Sequence, residues 1–131
     1  METSRHISTY IDRTSKEVYD FASNPQNLPQ WASGLSNSTV EIVDGQWVTD
    51  SPMGRILIDF APPNDFGILD HDVTVPSGQT FHNPMRVMPD GDGAEVVFTL
   101  RRQPDVTDPD FERDATTIAG DLATLKTLLE G

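Results

Sequence analysis

The sequence predicts an α+β fold: a curved, seven-stranded antiparallel sheet with two short helices near its start and a long helix at its C-terminal end. Three observations carry this. Between residues 38 and 103 the apolar residues alternate in runs of strand length, separated by turn compositions. After Asp108-Pro109, residues Phe111, Ala115, Ile118, Leu122, Leu125 and Leu129 recur at steps of four and three, the stripe of an amphipathic helix. Two helix-start signals, Thr14-Ser15-Lys16-Glu17 and Asn24-Pro25, precede the alternating region.

The elements follow in order. Ile7, Thr9 and Ile11 share one side of an opening strand. Thr14 can cap a helix and Glu17 can reach back to it, with Val18, Phe21 and Ala22 at helical spacing behind. Asn24-Pro25 starts a second helical segment, which Pro29 keeps short and irregular through Trp31 and Leu35. Residues 39–43 and 46–49 flank Asp44-Gly45, a strong hairpin signal. Strand-like runs at 55–61, 66–75, 79–88 and 94–103 come next, separated by Pro62-Pro63-Asn64-Asp65, Pro76-Ser77-Gly78 and Pro89-Asp90-Gly91-Asp92-Gly93. For the last helix, Asp108 is the expected cap and Pro109 the first helical residue.

Closing each turn between its nearest flanks gives a register. The first loop sets Ile58 opposite Leu69 and Ile56 opposite His71. The second sets Val73 against Phe81, His71 against Asn83 and Leu69 against Met85. The third sets Met85 against Phe98 and Asn83 against Leu100. One face then collects Ile56, Ile58, Phe60, Leu69, Val73, Phe81, Met85, Val87, Val96, Phe98 and Leu100, and the other Arg55, Asp59, Asp70, Asp72, His82, Arg86 and Arg101. A one-residue slip in any strand would exchange its two sets, so their agreement supports the register. The apolar face needs a cover, and the C-terminal stripe supplies one.

Composition excludes several function classes. The chain has 131 residues, of which 21 are acidic and nine basic, for a net charge of −12. Such a field repels nucleic acid and anionic membranes. There is no cysteine, which removes disulfides, thiolate chemistry and Cys-based metal sites and fits a cytoplasmic protein. No signal peptide is visible, and no apolar run is long enough to span a bilayer, so no membrane insertion is expected. At this length a single domain over residues 1–131 is expected.

Beyond these element patterns, the run Val18-Tyr19-Asp20-Phe21-Ala22-Ser23-Asn24-Pro25 with Leu28-Pro29-Gln30-Trp31 resembles the N-terminal signature of the START-like helix-grip (SRPBCC) superfamily. The similarity is to its polyketide cyclase/dehydrase-type branch. Gly67-Ile68-Leu69-Asp70-His71, Asn83-Pro84-Met85-Arg86-Val87, and Asp121-Leu122 with Leu125-Lys126 add to it. The resemblance implies a cavity between sheet and long helix that takes lipids, polyketides or other apolar molecules, in carriers, sensors or enzymes alike.

The inner face holds two polar side chains, His71 and Asn83, as cross-strand neighbours. They are either a structural pair satisfied by each other, by backbone or by water, or they orient a ligand's polar group. As a catalyst His71 would be a general acid or base on a carbonyl compound, in a cyclase- or dehydratase-like enzyme. Asp70-His71-Asp72 is not expected to hold a metal, because alternate residues of a strand point to opposite faces. Trp31 either closes the cavity mouth or seals the core. The expected ligand contacts are therefore Trp31, Ile58, Leu69, His71, Phe81, Asn83, Met85, Phe98 and Leu122, around a small apolar or aromatic ligand without a cofactor. A third expectation is an acidic interaction module with a collapsed cavity.

Overall fold

The computed structural model describes residues 2–52 and 54–131. It begins with strand β1 (Ser4–Ile11), followed by helix α1 (Ser15–Ala22). Thr14 caps α1: its hydroxyl oxygen accepts the Glu17 N–H at 3.2 Å and its O–H donates to the Glu17 carboxylate at 3.0 Å. Asn24 caps a 3₁₀ turn over Pro25–Asn27, which runs into the single turn of α2 (Leu28–Trp31) and a second 3₁₀ turn at Ser33–Leu35. Then come β2 (Val40–Val43), β3 (Gln46–Ser51), β4 (Gly54–Phe60), β5 (His71–Thr74), β6 (Thr80–Asn83), β7 (Met85–Asp90), β8 (Gly93–Arg101) and α3 (Asp108–Glu130). The β2–β3 turn has Asp44 and Gly45 both at positive φ, 53° and 79°, as a two-residue primed turn requires.

The described residues form eight strands, not seven, in two antiparallel sheets ordered β1-β8-β7 and β2-β3-β4-β5-β6. The physical reason is Pro84, which lies in the middle of the 79–88 run and has no N–H to donate. The chain bends there. Residues before it pair with β5 and residues after it with β8, while the Pro84 carbonyl still accepts the Thr99 N–H at 2.9 Å.

The second register is found as derived, with His71 paired to Asn83 and Val73 to Phe81. Of the third, Met85 pairs with Phe98, whereas Asn83 does not pair with Leu100 because the bend at Pro84 puts β6 and β8 in different sheets. The β4–β5 register differs. Ile58 pairs with Val73 and Phe60 with His71, four residues from the prediction, because residues 61–70 form a loop rather than a turn and most of a strand. Asn64 organises that loop: its Oδ1 accepts the N–H groups of Phe66 and Ile68, and its Nδ2 donates to the carbonyls of Pro62 and Ile68. A four-residue offset preserves parity, so the faces stand. Ile56, Ile58, Leu69, Met85, Val87 and Val96 are buried, and Arg55, Asp59, His82, Arg86 and Arg101 are exposed.

Helix α3 lies along β1, β8 and α2, with Phe111, Ala115, Leu122 and Leu125 buried beneath it. Its cap is Thr107, one residue before the expected Asp108, which instead pairs with Arg102 at 2.6 Å. The guanidinium carbons of Arg5 and Arg102 stand 5.1 and 5.3 Å from the Phe111 ring centroid, fixing the start of α3 to β1 and β8. Among the described residues no helix is long and apolar enough to cross a membrane.

Candidate functional site

Helix α3 packs on β1 and β8, while β4 and β5 face α2 and α3 across an unfilled space. The space between is a cavity of about 450 Å³, partly open to solvent. Its wall comes from Leu28, Trp31 and Ala32 around α2, Ile56 and Ile58 of β4, His71 and Val73 of β5, Phe98 of β8, and Ile118 and Asp121 of α3. The interior is thus not packed solid, against the expectation of a collapsed cavity. A volume of this size falls within the ordinary range for small-molecule sites.

Of the sequence-predicted contacts, Trp31, Ile58, His71 and Phe98 meet in this wall. Leu69, Met85 and Leu122 do not line it; each is about 1% exposed and fills the core behind it. Phe81 and Asn83 line a neighbouring cleft of about 380 Å³ between β6, β8 and α3, which shares Val73, Phe98 and Ile118 with the main cavity. This separation follows from the bend at Pro84, which carries β6 away from β8.

His71 and Asn83 are register partners, yet their side chains are not bonded to each other. The His71 Nδ1–H donates to the Leu69 carbonyl two residues earlier, at 2.9 Å, so in the neutral ring the lone pair lies on Nε2. Nε2 has no hydrogen-bond partner among the described residues. The ring stacks on Phe60 at 4.8 Å and meets Phe98 edge-on at 6.0 Å. Burial pushes the His71 pKa below its usual value, only partly offset by the Leu69 carbonyl and the nearby carboxylates. The imidazole is therefore neutral at pH 7 and is an acceptor. Asp70 and Asp72 lie on the other face of the sheet: Asp70 holds Arg86 through two hydrogen bonds of 3.0 and 2.9 Å, and Asp72 holds His82 at 2.6 Å.

Sequence reasoning missed Asp121 as a site residue. It lies three residues after Ile118 and four before Leu125, so helical geometry puts an acid on the apolar stripe. That was the available signal. Its Oδ1 accepts the Ser33 N–H at 3.1 Å, tying α3 to the segment after α2. Burial raises the Asp121 pKa, against the lowering effect of the bonds from Ser33. No basic side chain pairs with it among the described residues. The Trp31 ring lines the cavity, but its indole N–H is covered and has no partner.

No family model matches the sequence. No curated protein matches it either. Solved structures do resemble it. The Aha1 dimer from Colwellia psychrerythraea has a TM-score of 0.76 at 15% identity, over 98% of this chain and 97% of that one. Ara h 8.0201 has a TM-score of 0.66 at 11% identity, over 96% of each chain. DynU16, a protein of the dynemicin biosynthetic locus, has a TM-score of 0.73 at 11% identity; the match covers 99% of this chain and 48% of DynU16. At these identities the likeness is one of fold. Together with the sheet wrapped around α3 and the cavity between them, it identifies the architecture of this chain as the START-like helix-grip fold.

Proposed function

We propose that residues 1–131 form one cytoplasmic helix-grip domain that binds a small, largely apolar ligand between the sheet and α3. The observation that carries the reading is the 450 Å³ cavity walled by Trp31, Ile58, His71, Val73, Phe98 and Ile118. In this reading the aliphatic and aromatic side chains supply most of the affinity through buried apolar area. The free Nε2 of His71 orients one polar group, and Leu69, Met85 and Leu122 hold the wall from behind. Phe81 and Asn83 extend the surface into the adjoining cleft for a longer ligand.

Fluorescence titration with the neutral dye N-phenyl-1-naphthylamine tests the proposal. Saturable binding is expected, at least tenfold weaker when Val73→Trp fills the cavity in a variant that still unfolds cooperatively. Binding that is absent, or indifferent to Val73→Trp, refutes it. Native mass spectrometry of purified protein adds the mass of any co-purifying ligand.

A second reading is favoured by one feature. A neutral imidazole with a free nitrogen in an apolar wall suits a general base, in an enzyme acting on a carbonyl compound of the kind a cyclase or dehydratase processes. Turnover lost in His71→Gln while dye binding persists would favour this reading over simple binding.

A further inference from the structure

We infer that the ligand of this cavity carries a cationic amine on its apolar body, rather than a carboxylate or phosphate. The inference rests on the cavity being a ligand site and names the class of molecule it accepts. Among the described residues lining the cavity none is a lysine or arginine, and Asp121 is the one formally charged side chain. Asp121 has no basic partner among the described residues, only the hydrogen bonds from Ser33. An anionic ligand would therefore enter beside an unneutralised carboxylate, with no counter-charge to meet it.

Two more polar side chains stand in the wall: Ser51, whose hydroxyl donates to the Gly54 carbonyl at 2.9 Å, and His71. His71 spends its N–H on the Leu69 carbonyl and offers only a lone pair, so it also seeks a donor. The unpartnered donor in this wall, the Trp31 N–H, is covered and not offered to the cavity. What Trp31 and Phe98 present is aromatic surface, which attracts an ammonium and repels an anion. Burial holds the Asp121 carboxyl toward its neutral form, and an ammonium seated beside it would restore the charged form. At long range the net charge of −12 concentrates cations at the surface and speeds their capture at low salt.

The test uses three ligands with one ring system: 1-naphthylmethylamine, 1-naphthalenemethanol and 1-naphthoic acid. Each is titrated calorimetrically and by displacement of N-phenyl-1-naphthylamine. The amine is expected to bind about tenfold tighter than the alcohol, with the acid weakest, and in Asp121→Asn the amine falls to the alcohol's affinity. A second measurement does not depend on the variant folding: the amine's affinity should drop as salt rises from 0.02 to about 0.5 M, and the alcohol's should not. An alcohol or acid that binds as tightly as the amine overturns the inference and leaves the cavity reading standing. An amine advantage that survives Asp121→Asn overturns it too. If the dye itself fails to bind, both fall.

Discussion

Replacing Gly67 by alanine should cost this protein about 2–4 kcal/mol, and the cause lies in two features of the loop that leads into His71. Gly67 has φ = +73°, where an alanine is strained by roughly 1 kcal/mol or more. A Cβ there would also fall inside the van der Waals envelope of the Val87 carbonyl, a backbone group that cannot swing aside. The loop must retreat, and the retreat breaks the Val87 N–H bond to the Gly67 carbonyl, 2.9 Å long and beside a residue only 2% exposed. A buried N–H left without a partner accounts for another 1–3 kcal/mol, about. For a chain of this length the total corresponds to a drop in Tm of about 7–15 °C. Urea unfolding followed by tryptophan fluorescence measures it. Gly93→Ala is the control: its Cβ would meet the Tyr10 phenol, part of a side chain 44% exposed rather than a fixed backbone group. It should cost clearly less. A Gly67→Ala protein within ~0.5 kcal/mol of wild type, or one no worse than Gly93→Ala, would refute the reasoning.

Other expectations follow from single features. Thr49 is 2% exposed and its hydroxyl has no partner, so Thr49→Val should raise stability by about 1 kcal/mol in urea; a loss would reveal a partner for the hydroxyl. His71→Phe removes the donor from the buried Leu69 carbonyl while keeping a ring against Phe60, for a net cost of about 1 kcal/mol and weaker dye binding. Improved stability with unchanged dye affinity would count against any role for the imidazole. Two aspartates should give opposite pH slopes. The Asp121 pKa is raised by burial, so its protonation stabilises the fold below the ordinary value of 3.8, and that contribution is lost as pH rises through the folded value. Asp121→Asn should therefore gain on wild type between acid and neutral pH. The Arg86 hydrogen bonds lower the Asp70 pKa, so its contribution is present above 3.8 and lost as pH falls through the folded value. Asp70→Asn should lose ground over the same interval, and matching slopes for the two variants would contradict the assignment.

The order of elements and the inner face were legible because strand parity is robust. The β4–β5 register moved by four residues without turning one side chain over, since both Ile58 and His71 kept their side of the sheet. What could not be read was the loop. Pro62-Pro63-Asn64-Asp65 has the composition of a tight turn, but Asn64 binds four backbone groups and its own N–H reaches the Tyr19 hydroxyl at 3.0 Å, a contact across 45 residues. Pro84 was visible, yet its effect depended on which neighbour each half of the run would follow. The candidate site was half legible. Trp31, Ile58, His71 and Phe98 do line one cavity, whereas Leu69, Met85 and Leu122 share their face and are fully covered. Periodicity reports which side a residue faces and not how far it stands from the helix above it.

The bend at Pro84 makes the sheet behave as two panels joined along a seam. No ladder of hydrogen bonds joins β6 to β8, and the Thr99–Pro84 bond lies at the fold of the seam, where it can act as a hinge pin. The panels are also joined on the other side of the bend by the Ile68–Arg86 bridge, with its Leu69–Met85 and Val87–Gly67 hydrogen bonds, so a swing that widens the cleft pivots about these contacts as well. A long ligand could then seat itself while the ladders on either side stay closed to solvent exchange. Amide deuteration would show this as fast exchange at the β6 edge beside slow exchange in β4 and β8, with the contrast fading once the seam is filled.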